Sequence, residues 1–239
     1  MTKNSRSNVI DSLRGFAVAL MVIYHFCYDL TFFKIYTFDF YHNDFWLAFR
    51  TFIVVLFLSI VGISLSIAHT HTIHWQQALK RLLTLLVCAL IITLVSYFVF
   101  PDRIIYFGII HFITVASLIA IFFVHYPAIS LVIGVGLIII GVTISHTFFN
   151  QPMFHWLGMM TFKPRTEDYV PLLPWLGVVL TGISLGHLLK NTSQGQRFLY
   201  STSIMGRLPP MIWAGRKSLW IYMLHQPLLF AILWLVTKA

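Results

Sequence analysis

Seven apolar stretches leave this chain of 239 residues almost no polar segment from which a soluble fold could be built. Each is long enough to cross a bilayer as a helix, for which roughly 17–25 residues are needed. The stretches are Gly15–Phe33, Phe45–Ala68, Leu82–Phe100, Gly108–Val124, Ala128–His146, Tyr169–Leu189 and Leu219–Val236. The sequence therefore predicts an all-α, polytopic membrane protein with about seven transmembrane helices, forming one membrane domain over residues 1–239.

The composition agrees with a chain that lies in the lipid bilayer. Charged residues make up 10% of the chain and hydrophobic residues 59%, whereas soluble domains contain about 25% and 45–50%. This difference excludes a soluble enzyme, a disordered chain and a disulfide scaffold. The two cysteines, Cys27 and Cys88, fall in predicted helices, and we interpret them as small buried residues.

The net charge of +9 follows the positive-inside rule of membrane proteins rather than indicating a nucleic-acid partner. If the N-terminus lies in the cytoplasm, ten of the sixteen Lys and Arg residues fall on the cytoplasmic side and six on the other side. We therefore predict a cytoplasmic N-terminus, an external C-terminus and no nucleic-acid partner.

A polar stripe along the first predicted helix is the strongest functional signal, because ionisable residues are costly inside a bilayer. Steps of three or four residues place one set of side chains on a single face. The set is Asp11, Arg14, Val18, Val22, His25 and Asp29. His25 and Asp29 are four residues apart and can form a hydrogen bond in which the carboxylate orients the imidazole. This arrangement is typical of a catalytic base, and a polar pair that only packs helices is the alternative.

Other candidate residues lie in the fourth, sixth and last helices. His225 shares a face with Ser218 and Tyr222, and His111 lies in the first turn of the fourth helix. Trp175 follows two prolines at the predicted outer mouth of a cavity. Each of the two histidines is also compatible with a packed, hydrogen-bonded side chain.

The basic residues at the cytoplasmic face are candidates for binding a phosphorylated substrate, since the sequence has no glycine-rich phosphate loop. These candidates are Arg14, Arg207, Arg216 and Lys217. Setting the topology is an equally good explanation for each of them. His69, His71 and His74 are interpreted as a wet loop rather than a metal site, and no metal is predicted. The Gly182-x-x-x-Gly186 motif predicts close helix packing and weakly favours a homodimer.

Four segments together resemble a known enzyme family. The segments are DSLRGFAVALMVIYHFCYDL (residues 11–30), GIIHF (108–112), DYVPLLPWLGVVLTG (168–182) and GRKSLWIYMLHQPLL (215–229). The first is similar to the opening helix of the transmembrane acyltransferases. The set most closely resembles the family of heparan-α-glucosaminide N-acetyltransferase and its bacterial relatives, over nearly the whole chain.

The resemblance implies an enzyme that takes an acetyl or other acyl group from acyl-CoA at the cytoplasmic face. The acceptor would be a sugar amine or hydroxyl on the far side, and the location the inner membrane of a bacterium. His25 would be the catalytic base, oriented by Asp29. Arg14, His111 and His225 would line the path of acyl-CoA and acceptor.

The sequence departs from the lysosomal branch of this family, whose active-site histidine lies beyond the lumenal end of helix 1. Residues 31–41 contain no histidine here, and His42 is the nearest. An O-acylating family shows a similarly spaced Arg and His, so O-acetylation of an envelope glycan also stays open. From other classes, a proton-coupled transporter that uses the His25–Asp29 pair and a non-catalytic scaffold are the alternatives.

Overall fold

The computed structural model describes residues 6–70, 72–99, 101–164, 166, 168–201 and 208–238. Within these ranges it contains nine α-helices and no strand, which confirms the all-α fold. The helices are α1 (Asn8–Phe32), α2 (Asp44–Ala68), α3 (Trp75–Val99), α4 (Ile109–Ala120), α5 (Pro127–Thr143), α6 (Leu172–Asn191), α7 (Ser193–Leu199), α8 (Pro209–Arg216) and α9 (Ser218–Lys238).

Five helices in this part of the chain are long and apolar enough to cross a bilayer, namely α1, α2, α3, α6 and α9. A helix of 25 residues such as α1 is about 37 Å long, which exceeds the ~30 Å hydrocarbon core of a bilayer. The shorter apolar helices, α5 and α4 with its 3₁₀ extension to Phe123, fall on two further predicted stretches. The polytopic membrane fold is thus confirmed, and the cytoplasmic N-terminus stays a prediction.

Two helices begin earlier than predicted. Helix α1 begins at Asn8 rather than Gly15, and α3 begins at Trp75 rather than Leu82. In α1, the Ser7 side chain accepts a hydrogen bond from the backbone N–H of Ile10 and so caps the helix. Charged residues in the first turns therefore lie inside the helices rather than marking their ends.

The segment Lys190–Ser218, which lies between the last two predicted apolar stretches, contains the short helices α7 and α8. Thr192 caps α7 by accepting a hydrogen bond from the backbone N–H of Gly195. Proline occupies the first turn of α8, where its missing N–H costs no hydrogen bond. Both start signals are present in the sequence.

The chain forms two compact units, residues 1–57 with 191–239 and residues 58–190. In the first unit, α1 and α8 cross at glycines. A Cβ atom on Gly15 would overlap the carbonyl oxygen of Met211, and one on Gly215 would overlap that of Asp11. Glycine at both points lets the two backbones touch, and this crossing brings the basic end of α8 to the start of α1.

An apolar core in the first unit holds α9 beside α1. Its buried members are Val18, Met21 and Ile53, and the side chain of Tyr222 packs against them. Because Tyr222 lies one turn before His225 on α9, this packing sets the position of the histidine along α1.

In the second unit, α6 packs against the later part of α2 through the predicted glycine motif. The missing Cβ atoms of Gly182 and Gly186 make room for the backbone of Ser59 and Ile63. This face is therefore used within the chain and gives no support for a homodimer, which stays a prediction.

Candidate active site

Two histidines from different helices of the first unit are in contact. The ring centroids of His25 on α1 and His225 on α9 lie 5.0 Å apart, with an angle of 61° between the ring planes. His25 is partly buried and His225 is 9% exposed. The structure thus brings together two of the predicted site residues, which lie 200 positions apart in the sequence.

The tautomer of His225 follows from its hydrogen bond. Its Nδ1 lies 2.6 Å from the carbonyl oxygen of Tyr222, and a carbonyl only accepts, so Nδ1 carries the proton. In the neutral ring Nε2 is then the basic nitrogen. This atom is buried and has no hydrogen-bond partner among the described residues. A buried polar atom without a partner costs free energy, and a catalytic role is one explanation for it.

Asp29 does not pair with His25 as the spacing on α1 predicts. Its carboxylate is fully buried and accepts a hydrogen bond of 2.8 Å from Nε2 of Gln226. Among the described residues no hydrogen bond joins Asp29 to His25. Each member of the expected pair instead pairs across to α9, since His25 meets His225 and Asp29 meets Gln226. Sequence spacing shows which face a residue occupies, but not which helix covers that face.

Pro227 follows these two α9 residues inside the helix. Proline has no backbone N–H, so the carbonyl of Met223 loses its hydrogen-bond donor one turn earlier. Such a free carbonyl inside a membrane helix is tolerated where neighbouring groups or a cavity satisfy it.

A cluster of arginines surrounds one buried carboxylate at the start of α1. Asp11 is 2% exposed. Its oxygens lie 2.6 Å from Nε of Arg6, 3.1 Å from Nη1 of Arg14 and 3.2 Å from Nε of Arg216. Arg216 also donates to the side chain of Asn8 over 3.1 Å. Three guanidinium groups against one carboxylate leave a net charge of +2 on the cluster.

The sequence indicated Arg14 and Arg216 but not Arg6, and it gave Asp11 no partner beyond its own helix. Arg6 precedes the helix, so no periodic pattern assigns it to a face. The side chains of Arg6 and Arg216 are 58% and 49% exposed, which leaves them accessible to a ligand. Arg207 lies outside the described residues.

His42, the rival active-site histidine, lies on the surface beyond α1. Its Nδ1 is 3.2 Å from Oδ1 of Asp39, and both side chains are largely exposed. Hydrogen bonds from the backbone N–H groups of His42 and Tyr41 hold the pKa of Asp39 below its usual value. The pair has the form of an oriented imidazole, although in open surroundings.

Both ring nitrogens of His111, in the second unit, have partners. Nδ1 accepts a hydrogen bond from the backbone N–H of Gly108, and Nε2 lies 2.9 Å from Oγ1 of Thr93. Thr93 in turn donates to the carbonyl of Ile105. This network caps the start of α4 and gives His111 a structural role, so its predicted substrate contact stays a prediction.

Trp175 lies at the start of α6 in the second unit and is partly buried. Regular helical geometry begins after Leu173, whose extended backbone precedes Pro174 as expected for a residue before proline. Its role in binding substrate also stays a prediction.

The histidine-rich loop after α2 forms no metal centre within the described part of the chain. The rings of His69 and His74 lie 6.2 Å apart, and His71 falls outside the described residues. Among those residues, no group of three or more His, Cys, Asp or Glu side chains could hold a metal ion.

Comparison with protein families gives a match over most of the chain. The family model described as heparan-alpha-glucosaminide N-acetyltransferase, catalytic, matches residues 6–227. The chain belongs to this family. Comparison with curated proteins and with solved structures gives no match.

Membership of the heparan-α-glucosaminide N-acetyltransferase family confirms the resemblance and supports a membrane N-acetyltransferase. It favours that hypothesis over a proton-coupled transporter. The apolar helices agree with an integral membrane location. The matched range includes every predicted site residue, but the individual roles of these residues stay predictions.

Proposed function

We propose that this protein transfers an acetyl group from acetyl-CoA to an amine or hydroxyl group of an envelope sugar. Acetyl-CoA would bind from the cytoplasm, and the sugar would be modified on the opposite side of a bacterial inner membrane. The direction rests on the predicted cytoplasmic N-terminus, which places the arginine cluster on the side where CoA is available.

The contact between His25 and His225 is the observation that carries the proposal. Two imidazoles meet within membrane helices, and one of them presents a buried nitrogen that the described residues leave without a partner. An acetyltransferase needs a base, because the acceptor must lose a proton as its nitrogen or oxygen attacks the thioester carbonyl. We assign this proton transfer to His25, and we assign a contact with the substrate to the buried nitrogen of His225.

The reaction then balances as follows. The acceptor nitrogen or oxygen forms a bond to the acetyl carbon, the carbon–sulfur bond breaks, and the electron pair leaves with the sulfur. The imidazole of His25 takes the proton of the acceptor and returns it to the CoA thiolate. In the other route, an imidazole nitrogen first bonds to the acetyl carbon while the carbon–sulfur bond breaks and the CoA thiolate leaves. The acetyl group then passes to the acceptor, whose proton goes to the thiolate as the bond between nitrogen and acetyl carbon breaks. His225 would contact the substrate beside His25 in both routes.

We assign positioning roles to Asp29 and Tyr222. Asp29 fixes Gln226, which adjoins His225, and Tyr222 holds the Nδ1 proton of His225 through its carbonyl oxygen. The bond between Asp29 and Gln226 sets the register of α9 on α1, and the Tyr222 carbonyl fixes the tautomer of His225 within α9. Asp29 therefore acts through α9 rather than through a direct bond to His25.

We assign the phosphate groups of CoA to the arginine cluster of Arg6, Arg14 and Arg216. Guanidinium groups bind phosphate through paired, charge-assisted hydrogen bonds. From Asp11 to His25 the rise along α1 is about 21 Å. The arm of CoA between phosphorus and sulfur is comparable to four or five extended residues, about 15 Å. The arm of CoA together with one arginine side chain is therefore long enough to span the distance from Asp11 to His25.

Two residues of the second unit, Trp175 and His111, stay predictions from the sequence. Trp175 offers an aromatic face on which a sugar ring can pack. His111 would act by fixing the start of α4, since Thr93 and Gly108 use both of its ring nitrogens.

Transfer of labelled acetyl groups by the purified protein tests this proposal. The reaction contains acetyl-CoA and a sugar amine, or a sugar that offers only hydroxyl groups, and CoA binding is measured in parallel. We expect saturable CoA binding, acceptor-dependent loss of the thioester, and a loss of transfer by at least about 10²-fold in His25→Ala. Retained CoA binding in that variant shows that it is folded.

Two histidine variants serve as comparisons. His125→Ala removes an exposed loop histidine and should keep normal turnover. If His42→Ala abolishes transfer while His25→Ala does not, the catalytic base is the surface histidine and the proposed site is wrong. Absence of CoA binding at millimolar concentration contradicts the acetyl-CoA proposal as a whole.

A further inference from the structure

Arg50 places a positive charge inside the membrane helix α2, which begins at Asp44. From Asp44 to Arg50 the rise along α2 is about 9 Å. From His25 to the end of α1 at Phe32 the rise is about 10 Å. The loop of residues 33–43 joins these two helix ends, which therefore lie on the same side of the membrane. Arg50 and His25 are thus at similar depths below that side.

Ring contacts of Tyr24 agree with this register of α2 on α1. The centroid of the Tyr24 ring lies 5.9 Å from that of Trp46 and 6.2 Å from that of Phe49. Both partners precede Arg50 by no more than about one helical turn. The Tyr24 ring also lies 5.9 Å from the ring of His25, edge to face. Tyr24 therefore connects the turn of α2 that carries Arg50 to the proposed catalytic base.

The charge of Arg50 points toward α1 and is not neutralised within the described part of the chain. Its guanidinium group forms a hydrogen bond with the Tyr24 hydroxyl, and the residue is partly buried. A tyrosine hydroxyl is neutral, and no carboxylate of the described ranges forms an ion pair with Arg50. An arginine near a helix end can extend its charge to the membrane surface, but the bond to Tyr24 holds this charge against the protein. A charge held inside a span in this way indicates a functional site.

The donor groups of Arg50 and Tyr24 define the ligand that fits them. A guanidinium group has five N–H donors, so one hydrogen bond to Tyr24 leaves others for a ligand. Its strongest interactions are paired hydrogen bonds to a carboxylate or a phosphate. The Tyr24 hydroxyl accepts from Arg50 and keeps its own proton, which it can donate to the same anion. These donors therefore favour a negatively charged oxygen group next to His25.

We propose that Arg50 and Tyr24 bind a negatively charged oxygen group of the acceptor, so that the acceptor is an acidic sugar or a sugar phosphate. This role rests on the proposed acetyl transfer, since only an enzyme with a sugar acceptor needs it. The arginine cluster around Asp11 is about 21 Å from His25 along α1, toward the other end of that helix. The phosphates of CoA and the anion of the acceptor therefore bind at separate places.

Three amino sugars test this role, namely glucosamine, glucosamine phosphate and glucosaminuronic acid, which carries a carboxylate. Titration calorimetry of the intact purified protein without acetyl-CoA gives their affinities, and the transfer assay gives KM and kcat. Arg50→Gln removes the charge, Arg50→Lys keeps it, and Tyr24→Phe removes only the hydroxyl. Lys34→Gln is the matched control, because it removes an exposed charge just beyond α1 on the same side of the membrane. Retained CoA binding shows that each variant is folded.

We expect wild type and Lys34→Gln to bind a charged sugar about tenfold more tightly than glucosamine. Arg50→Gln should lose this preference, while its kcat with glucosamine stays unchanged. Arg50→Lys should keep part of the preference, and Tyr24→Phe should weaken it about threefold, since one hydrogen bond is lost. Tighter binding of the phosphate or of the carboxylate sugar identifies which anion the acceptor carries.

The two proposals fail in different ways. If glucosamine is acetylated but Arg50→Gln and Lys34→Gln bind the charged sugars equally, the transfer stands and the role of Arg50 is overturned. If the charged sugars bind through Arg50 but no sugar is acetylated, the anion site stands and the transfer is contradicted. Native mass spectrometry with phosphatidylglycerol covers the remaining source of an anion. A loss of this lipid in Arg50→Gln with an unchanged sugar preference would show that the charge serves the bilayer, and would overturn the proposal.

Discussion

His225 and His111 both lie in apolar helices, but the ring nitrogens of the two histidines have different hydrogen-bond partners. Thr93 and the N–H of Gly108 use both nitrogens of His111. His225 uses only Nδ1, and the described residues leave its buried Nε2 without a hydrogen bond. A histidine with two partners has no nitrogen left for chemistry, whereas one with a single partner keeps a basic nitrogen in a defined tautomer. We therefore propose that His225 contacts the substrate, whereas His111 fixes the start of α4.

The largest expected effect is therefore on turnover in His225→Ala. We expect acetyl transfer to fall by about 10²-fold or more, because the second imidazole of the pair is lost. His111→Ala should lose less than about tenfold, because it changes only a helix start. Turnover at saturating acetyl-CoA is the measurement. Equal losses of turnover in the two variants would contradict the proposed difference between His225 and His111.

A smaller effect is expected when Asp29 is changed and the pair is left intact. Asp29→Asn keeps an oxygen that can accept from Gln226 but removes the charge that strengthens this hydrogen bond, so α9 is held less firmly on α1 and turnover falls by about 10²-fold or less. The double variant Asp29→Asn/Gln226→Glu restores the hydrogen bond in the opposite direction, because the amide is then on α1 and the carboxylate on α9. Partial recovery in the double variant supports a positioning role, whereas no recovery indicates that the carboxylate acts in another way.

The arginine cluster gives a third prediction, on substrate binding. Arg216→Gln should raise the KM for acetyl-CoA about tenfold and leave kcat unchanged, since one charged contact to phosphate is lost. Arg197→Gln removes an exposed charge from α7 and is the matched control. A change in kcat with constant KM would contradict the phosphate-binding role of the cluster.

The smallest effect is on stability at His111. His111→Ala removes the side chain that satisfies the N–H of Gly108, and we expect the free energy of unfolding to fall by about 1 kcal/mol. A thermal melt in detergent measures this loss. His42→Ala, which removes an exposed side chain, should leave the melting temperature within error. An unchanged melting temperature in His111→Ala would show that its hydrogen bonds contribute nothing.

The apolar pattern predicts most of the fold, because each membrane helix has to be a long apolar run. It also places His25 and Asp29 on one face of α1, which the helical period alone decides. The period cannot show that α9 covers this face, so the His25–His225 contact and the Asp29–Gln226 bond depend on tertiary packing. The sequence also does not indicate that Arg6 belongs to the arginine cluster, because Arg6 precedes α1 and no helical period applies to it.

Local signals in the sequence also mark helix starts that the apolar pattern does not show. A glycine three residues before His111 marks a helix start at which the histidine can cap the backbone. The prolines of α8 and the Thr192 cap of α7 similarly mark helices in a segment that its polarity favours as a loop. Local start signals therefore deserve equal weight with the apolar pattern in the connecting segments of such a protein.

The glycine crossing of α1 and α8 also has a consequence for the order in which the protein is made. The first unit combines residues 1–57 with residues 191–239, whereas the second is one continuous segment. As the chain leaves the ribosome, α1 enters the membrane long before α8 and α9 exist. During that time Asp11 lacks Arg216 and Asp29 lacks Gln226, although buried charge in a bilayer is costly. Helix α1 is therefore at first in the membrane without its partners on α8 and α9, and the site forms only after α9 has been made.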